Sequence, residues 1–241
     1  MSSSSGAIAG KGGGRLGNVL SGVAVALGCA LFLGGFVWGA VVYRPYTVPT
    51  NSMQPTVNPG DRVLAQHVSG SDVRRGDVVV FQDDLWDPQP LVKRVVGVGG
   101  DVVACCDTQG RLTVDGKPVQ EDYLKDSPLN SLTKFSSTVP HGQLFLLGDN
   151  RAVSEDSRLH LTDVNHGSVP ASDVKARVDG TVWPLGRLGT MDRTPAFDAL
   201  PGGGASARGP LKLLVVMVIA GAVLIFGGAA YGPLARLRRR K

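Results

Sequence analysis

The residues best suited to chemistry are two hydroxyls in V-P-T-N-S-M-Q-P-T, residues 48–56. Side chains alternate along an extended segment, so Thr50 and Ser52 point to the same side. Pro49 and Pro55 fix φ at their own positions and favour extended backbone before them. The loop can therefore present Ser52 as a nucleophile, while the Ser52 N–H and the Thr50 hydroxyl donate to a developing oxyanion. A stiff linker is the alternative for this stretch taken alone.

A serine nucleophile needs a base, and Lys93 in L-V-K-R-V-V-G-V is the candidate. In a strand Lys93 shares the face of Leu91 and Val95, whereas Arg94 points to the other face. An apolar face disfavours the cation and lowers the lysine pKa. Acting as a base near neutral pH requires a drop of about 3 pKa units, or about 4 kcal/mol. A lysine at a sheet edge that reaches water is the alternative. The four histidines lie in polar stretches and are read as surface residues.

A third segment, G-D-N-R-A-V-S-E-D-S-R at 148–158, follows an apolar strand and is dense in polar groups. Its Ser154 hydroxyl can bond a neutral lysine amine. Two acid–base pairs are predicted to stiffen this loop: Asp149 with Arg151, and Asp156 with Arg158. An ordinary surface turn is the alternative.

Two uncharged apolar segments flank the middle of the chain: Val19–Tyr43 has 25 residues and Leu213–Ala235 has 23. About 20 residues of helix cross roughly 30 Å of hydrocarbon, so both can span a membrane. Eight of the 25 basic residues lie in 1–43 and 209–241, which contain none of the 20 acidic ones. The positive-inside rule then predicts cytoplasmic termini and an exported middle, 44–208. A buried helix of a soluble protein is the alternative for either segment, and the basic C-terminus is read as a topology signal and not as a nucleic-acid site.

The expected fold class is mostly β, with one transmembrane helix at each end. Apolar segments between turn residues predict strands at 77–81, 91–98, 111–114 and 144–147, and Asp115-Gly116 predicts a hairpin. The predicted organisation begins with a disordered cytoplasmic N-terminus at 1–17 and a signal anchor at 18–43. An exported β-rich domain follows at 44–201, with an inserted β region at about 102–140. The chain then continues with a flexible linker at 202–209, a second transmembrane helix at 210–235 and a basic cytoplasmic tail at 236–241.

The cysteines favour neither a metal site nor a firm disulfide. Cys105 and Cys106 are adjacent, and a vicinal disulfide is strained, so their redox state stays open. No Cys/His spacing indicates a structural metal, and neither a metal nor a cofactor is expected.

Taken in order, four motifs make this chain resemble the bacterial type I signal peptidases, membrane serine proteases with a Ser–Lys dyad. The motifs are N-S-M-Q-P-T at 51–56, R-G-D-V-V-V-F at 75–81, K-R-V-V-G-V-G-G-D at 93–101 and G-D-N-R-A-V-S-E-D-S-R at 148–158. The resemblance covers almost the whole chain. Two departures are Thr50, where many members have Ser, and Asn51, where many have Gly. The C-terminal span is unlike the shortest relatives, and its role is left open.

The resemblance implies roles for individual residues and a substrate class. Ser52 is the nucleophile, Lys93 the general base, and Thr50 the side-chain oxyanion donor beside the Ser52 amide. Ser154 orients Lys93, and Met53 lines the apolar surface near the membrane. The implied site-supporting residues are Asp149, Arg151, Asp156 and Arg158. The implied substrates are secretory preproteins with small residues at −1 and −3, cut at the outer membrane face, with the lipid bilayer and the secretion translocon as further partners.

Three other functions fit part of the pattern. S-L-T-K at 131–134 matches the S-x-x-K of penicillin-binding proteins, but the S-D-N and K-T-G partners are missing. Self-cleaving repressors use a Ser–Lys dyad, but no DNA-binding domain is visible. A membrane-tethered β-domain that binds exported peptides without cutting them is the non-enzymatic alternative.

Overall fold

The computed structural model describes residues 12–125 and 133–238, which fall into two compact units, one from the two ends of the chain and one spanning Val42–Leu211. The helices are α1 (Gly12–Val42) and α2 (Leu211–Arg238). The strands are β1 (Tyr43–Thr47), β2 (Arg62–Gln66), β3 (Val78–Asp83), β4 (Asp87–Val98), β5 (Val102–Cys105), β6 (Leu112–Val114), β7 (Lys117–Pro118), β8 (Phe135–Thr138), β9 (Gln143–Leu147), β10 (Ser168–Pro170), β11 (Val174–Trp183) and β12 (Gly189–Thr190). The start of the S-x-x-K match, residues 1–11 of the predicted disordered N-terminus and the end of the basic tail lie outside the described residues. The prediction of disorder is wrong for residues 12–17, which form the first turns of α1.

The helical unit pairs α1 with α2 through small residues. Gly28 approaches α2 so closely that a Cβ there would lie 2.8 Å from the Gly221 carbonyl oxygen. Ser21 Oγ donates a 2.7 Å hydrogen bond to the Gly228 carbonyl. Segments of 26 and 21 residues in the two helices have mean hydropathies of 2.2 and 2.7, so both are candidate membrane spans by length and composition.

The larger sheet has the strand order β1-β2-β11-β3-β4-β9-β10, with β12 added beside β11, and its neighbouring strands run antiparallel. The strand that carries Lys93, β4, lies between β3 and β9, so both of its edges are paired. In the register, Lys93 is opposite Val79 and Arg94 is opposite Leu147. This central position places both basic side chains inside the protein.

A smaller sheet, in the order β7-β6-β5-β8, is inserted between β4 and β9. The predicted hairpin at Asp115-Gly116 joins β6 to β7, and both residues have positive φ (50° and 73°), as a two-residue β-hairpin turn requires. The sulfur atoms of Cys105 and Cys106 are joined at the end of β5.

The segment before α2 is fixed to the β unit, which differs from the flexible linker that the sequence predicts at 202–209. Ser206 is buried, its N–H donates to Asp77 Oδ1 (3.0 Å), and its hydroxyl accepts from Arg177 Nη1 (2.5 Å). Just upstream, Phe197 and Leu200 belong to a core cluster with residues of both sheets. Glycine-rich composition indicated mobility, whereas buried polar partners hold this segment in place.

Candidate active site

The loop between β1 and β2 presents the predicted nucleophile. Two backbone hydrogen bonds join the two ends of this loop, from Val48 N to Asp61 O (2.9 Å) and from Gly60 N to Val48 O (2.8 Å). Three apolar side chains of the loop, those of Val48, Met53 and Val57, are buried in a core cluster with β-strand residues. The loop is thus anchored on the sheet on either side of Ser52.

The structure brings Ser52, Lys93 and Thr50 together. Lys93 Nζ donates to Ser52 Oγ at 2.9 Å, and Thr50 Oγ1 lies 3.1 Å from the same oxygen. The Ser52 and Lys93 residues are 5% and 3% exposed, whereas Thr50 is exposed to solvent. A hydroxyl at hydrogen-bond distance from a buried amine is the arrangement that an activated serine requires.

Burial lowers the pKa of Lys93 from its ordinary 10.5 to about 8. The carboxylates of Asp156, Glu155 and Asp149 oppose this effect, since a nearby negative charge stabilises the ammonium form, and Arg158 adds to it. With a pKa about 8, part of the amine is neutral near physiological pH and able to accept a proton.

Ser154 is close to the nucleophile but does not contact Lys93 through a hydrogen bond. Its Oγ is buried and has no hydrogen-bond partner in the described part of the chain. A Cβ at Gly148 would overlap this hydroxyl and would lie 2.5 Å from the Ser52 carbonyl oxygen, so glycine is needed where the two loops meet. The predicted role of Ser154, orienting Lys93, stays a prediction.

The predicted ion pair between Asp149 and Arg151 is wrong, because each residue has a different partner. Asp149 binds Arg94 through two bonds, from Nε (2.8 Å) and Nη2 (2.6 Å), and also accepts from Thr56 Oγ1 (2.5 Å). Arg94 also donates to the Gly76 carbonyl. Burial disfavours its cation, but the Asp149 carboxylate outweighs burial and raises the pKa of Arg94.

Arg151 instead binds Glu121, in the connection between β7 and β8 of the smaller sheet. Two hydrogen bonds of 2.9 and 2.5 Å join the guanidinium to the carboxylate, and both side chains are only 3% exposed. Two residues on, the Tyr123 ring lies 4.0 Å from the Arg94 guanidinium carbon, and its hydroxyl donates to Glu121. The connection between β7 and β8 thus supplies a carboxylate to Arg151 and an aromatic face to Arg94.

The other predicted pair is present. Arg158 Nε donates to Asp156 Oδ1 at 2.7 Å, and the second carboxylate oxygen accepts from the Gly148 N–H at 3.0 Å. Asp156 is fully buried. The pair closes the 148–158 loop on itself, directly beside the serine.

The prediction for Met53 is wrong: its side chain is fully buried in the core and does not lie on an apolar surface. The sequence reasoning also missed Arg94, Glu121, Tyr123 and Asn150. For Arg94, its place beside Lys93 in an apolar strand was a usable signal, since a buried cation needs a partner. Asn150 stands inside the motif at 148–158 but was given no role there, and no local pattern pointed to Glu121 or Tyr123.

The chain is similar in sequence to proteins of one known family. The family model of signal peptidase, peptidase S26, matches residues 19–183. A probable signal peptidase I of Mycobacterium leprae is 34% identical over 212 residues, covering 64% of this chain and 73% of that protein. A signal peptidase IB of Staphylococcus aureus is 34% identical over 170 residues, covering 62% and 83%. A crystal structure of a signal peptidase I from Enterococcus faecalis, 30% identical, aligns with a TM-score of 0.36 over 43% of this chain and 94% of that one.

A buried lysine that holds a serine hydroxyl on a mostly β scaffold is a candidate site for a serine-type hydrolase. With the family model covering most of its length, the chain belongs to the signal peptidase family, peptidase S26.

Proposed function

We propose that the protein is a signal peptidase I, a serine endopeptidase that removes N-terminal signal peptides from secretory preproteins. Relatives of M. leprae and S. aureus that are 34% identical bear the names probable signal peptidase I and signal peptidase IB. The observation that carries the proposal for this chain is the 2.9 Å hydrogen bond between Lys93 Nζ and Ser52 Oγ in a buried setting. A domain that only bound peptides would have no need of a buried lysine at that position.

The proposed reaction is acyl transfer through the Ser–Lys dyad. Neutral Lys93 takes the Ser52 proton as Oγ attacks the carbonyl carbon of the −1 residue. The resulting oxyanion accepts hydrogen bonds from the Ser52 N–H and the Thr50 hydroxyl. Lys93 then protonates the leaving amine, which releases the mature chain. In the second half, Lys93 takes a proton from water as the water oxygen attacks the acyl carbon. The bond to Ser52 Oγ then breaks, Lys93 returns the proton to Oγ, and the signal peptide leaves with a new C-terminal carboxyl group.

The remaining residues of the site have positioning roles in this proposal. The hydroxyl of Ser154, buried and without a partner in the described residues, is available to the Lys93 amine when Ser52 is acylated and no longer bonds it. Four charged side chains hold the loop of Ser52 and the loop at 148–158 in place: Asp149, Arg151, Asp156 and Arg158.

Substrate choice and location are part of the same proposal. Cleavage follows small residues at −1 and −3, as in Ala-x-Ala, at the outer face of the bacterial cytoplasmic membrane. Both helices cross the membrane, both termini are cytoplasmic, and the β unit is exported. The partners are secretory preproteins, the lipid bilayer and the secretion translocon. The two candidate spans and the absence of acidic residues at both ends of the chain support this topology.

The test is cleavage of a purified preprotein with an Ala-x-Ala site by the full-length protein in detergent. Wild type is compared with Lys93→Ala and Ser52→Ala, and a preprotein with Leu at −1 serves as the substrate control. Lys175→Ala is the matched control, because Lys175 is an exposed lysine on β11. We expect wild type and Lys175→Ala to cut after the −1 residue and both dyad variants to be inactive.

Two results would contradict the proposal. Equal cleavage by wild type and Lys93→Ala would remove the lysine from the chemistry. Binding of the preprotein by wild type without cleavage would favour the non-enzymatic alternative, a tethered β-domain that holds exported peptides.

A further inference from the structure

Asn150, which follows Asp149 in the fourth motif, bonds the backbone on both sides of the nucleophile. Its backbone N–H donates to the Ser52 carbonyl at 2.9 Å. Its side-chain Nδ2 donates to the Asn51 carbonyl at 3.1 Å. The residue is 2% exposed, so water does not compete for these bonds. Asn150 therefore determines the orientation of the peptide groups around the reactive hydroxyl.

The bond to the Asn51 carbonyl bears on the oxyanion site. The Asn51 C=O and the Ser52 N–H belong to one peptide group, which is trans and planar, so the oxygen and the hydrogen point in opposite directions. Gln54 N also donates to the Asn51 oxygen, at 3.2 Å. Asn150 Nδ2 and Gln54 N thus hold the carbonyl oxygen of this rigid peptide group. Because the group is planar, fixing its oxygen also fixes the direction of the Ser52 N–H.

We propose that Asn150 is a positioning residue of the oxyanion site: through Asn51 its side-chain amide aims the Ser52 N–H at the oxyanion. This inference rests on the proposed acyl transfer. Hydrogen bonds along a chain polarise one another, so a donor on the Asn51 oxygen also makes the Ser52 N–H a stronger donor. An N–H whose direction is set in advance needs no reorganisation when charge develops, which is how such donors contribute to catalysis.

Asn150 can serve in this way because its own backbone is fixed by other bonds. Its carbonyl accepts from Val153 N (3.3 Å) and Ser154 N (3.1 Å), which makes a tight turn. On either side, Asp149 and Arg151 are held by their buried ion pairs. Removing the Asn150 side chain therefore leaves the turn and the bond to the Ser52 carbonyl in place, and removes only the bond to Asn51.

The experiment uses the full-length protein in detergent with Asn150→Ala and Asn150→Asp. Alanine deletes the donor, while an ionised Asp keeps the shape and repels the Asn51 oxygen. Asn165→Ala is the matched control, since the Asn165 side chain bonds Gln143 elsewhere. Loss of one oxyanion donor lowers kcat by about 10²–10³-fold, so weakening one should lower it by about 10–100-fold.

The discriminating readouts are those that a loss of folding does not produce. For Asn150→Ala we expect KM and the pH midpoint set by Lys93 to stay within error of wild type, and the melting temperature to fall only as far as the loss of one hydrogen bond requires, while kcat falls. A peptide aldehyde, to whose carbon Ser52 Oγ adds to form a tetrahedral adduct, should bind Asn150→Ala about 10–100-fold more weakly. The cleaved signal peptide, which has no tetrahedral centre, should bind both proteins equally.

A kcat for Asn150→Ala within about twofold of wild type would overturn the inference and leave the proposed function intact. Equal loss of aldehyde and product binding, or failure of both variants to fold, would also overturn it, since the role would then be structural. If wild type neither cut the preprotein nor formed an adduct that depends on Ser52, the proposed function and this inference would fall together.

Discussion

Replacing Lys93 by Met should abolish cleavage and at the same time stabilise the fold. Lys93 is 3% exposed, and burial lowers its pKa from 10.5 to about 8. That difference corresponds to about 3 kcal/mol at about 1.36 kcal/mol per unit, which the folded protein bears whenever the lysine is protonated. Methionine is apolar and close in length, so it removes this cost. The substitution also removes the hydrogen bond to Ser52, worth about 1 kcal/mol, so a net gain of about 2 kcal/mol is expected at pH 7.

The gain must depend on pH in one direction. Below pH about 8 the lysine is protonated in both the folded and the unfolded chain, and the folded state carries the full cost. Between about 8 and 10.5 the unfolded chain binds more protons at this site than the folded one, so the stability of wild type rises with pH. Above 10.5 both forms are neutral and the cost is gone. The advantage of Lys93→Met should therefore shrink across this window.

The assay is urea unfolding of the full-length protein in detergent, followed by tryptophan fluorescence at pH 7 and at pH 10.5. Ser52→Ala is the control, because it is equally inactive but keeps the lysine. A Met variant less stable than wild type at pH 7 would refute the reasoning, and so would a gain of equal size at both pH values. Either result would mean that the folded protein does not disfavour the Lys93 cation.

Three further predictions concern the same site. The kcat/KM of wild type should rise with pH to a midpoint near 8, because only the neutral Lys93 acts as base, and Glu155→Gln should lower that midpoint by removing an anion that raises the lysine pKa. Thr50→Val should lower kcat in a preprotein assay, by an amount equivalent to about 2.7–4 kcal/mol of transition-state stabilisation. Thr50→Ser keeps the hydroxyl and should therefore retain most of the wild-type kcat. Asp149→Asn should destabilise the fold by about 3–5 kcal/mol in urea unfolding, because it leaves the buried Arg94 unpaired.

Each of these has its own control and its own refuting result. Asp84→Asn removes an exposed acid from the hairpin after β3 and should leave the pH midpoint in place; an equal shift would mean that net charge alone sets it. An unchanged kcat in Thr50→Val would exclude its hydroxyl as a donor. Asp163→Asn, which breaks an exposed pair with His160, should cost under about 1 kcal/mol, and a similar loss from Asp149→Asn would show that burial does not matter.

Local pattern predicted the setting of each reactive group separately. Alternation in β4 predicted an apolar face for Lys93 and the opposite direction for Arg94, because the period of a strand is strict. The prolines around Ser52 predicted a shaped loop. These features depend on a few neighbouring residues each, which is why sequence alone carries them. The contact between Ser52 and Lys93, at 2.9 Å in the structure, was implied only by the resemblance to a known family.

Partner choice among charged residues could not be predicted in the same way. Asp149 and Arg151 are two residues apart, and a pair between them looked natural. Both side chains are instead buried, so each requires a fully formed partner, and the fold supplies Arg94 to one and Glu121 to the other. The pairing of buried charges depends on the order of the strands and on the path of the inserted region. Neither can be read from the residues next to a charge in the sequence.

The path of the insert has a consequence for how the site is held. Between β7 and β8 the chain passes through segment 121–125, where the Tyr123 ring covers the Arg94 guanidinium and Lys125 Nζ donates to Gln54 Oε1 at 3.1 Å. The first contact is with the strand that carries Lys93, and the second is with the loop that carries Ser52. The inserted region therefore supports the site, because this connection between two of its strands contacts both halves of the dyad. A buried lysine at hydrogen-bond distance from a serine is costly for the fold, and contacts of this kind offset that cost.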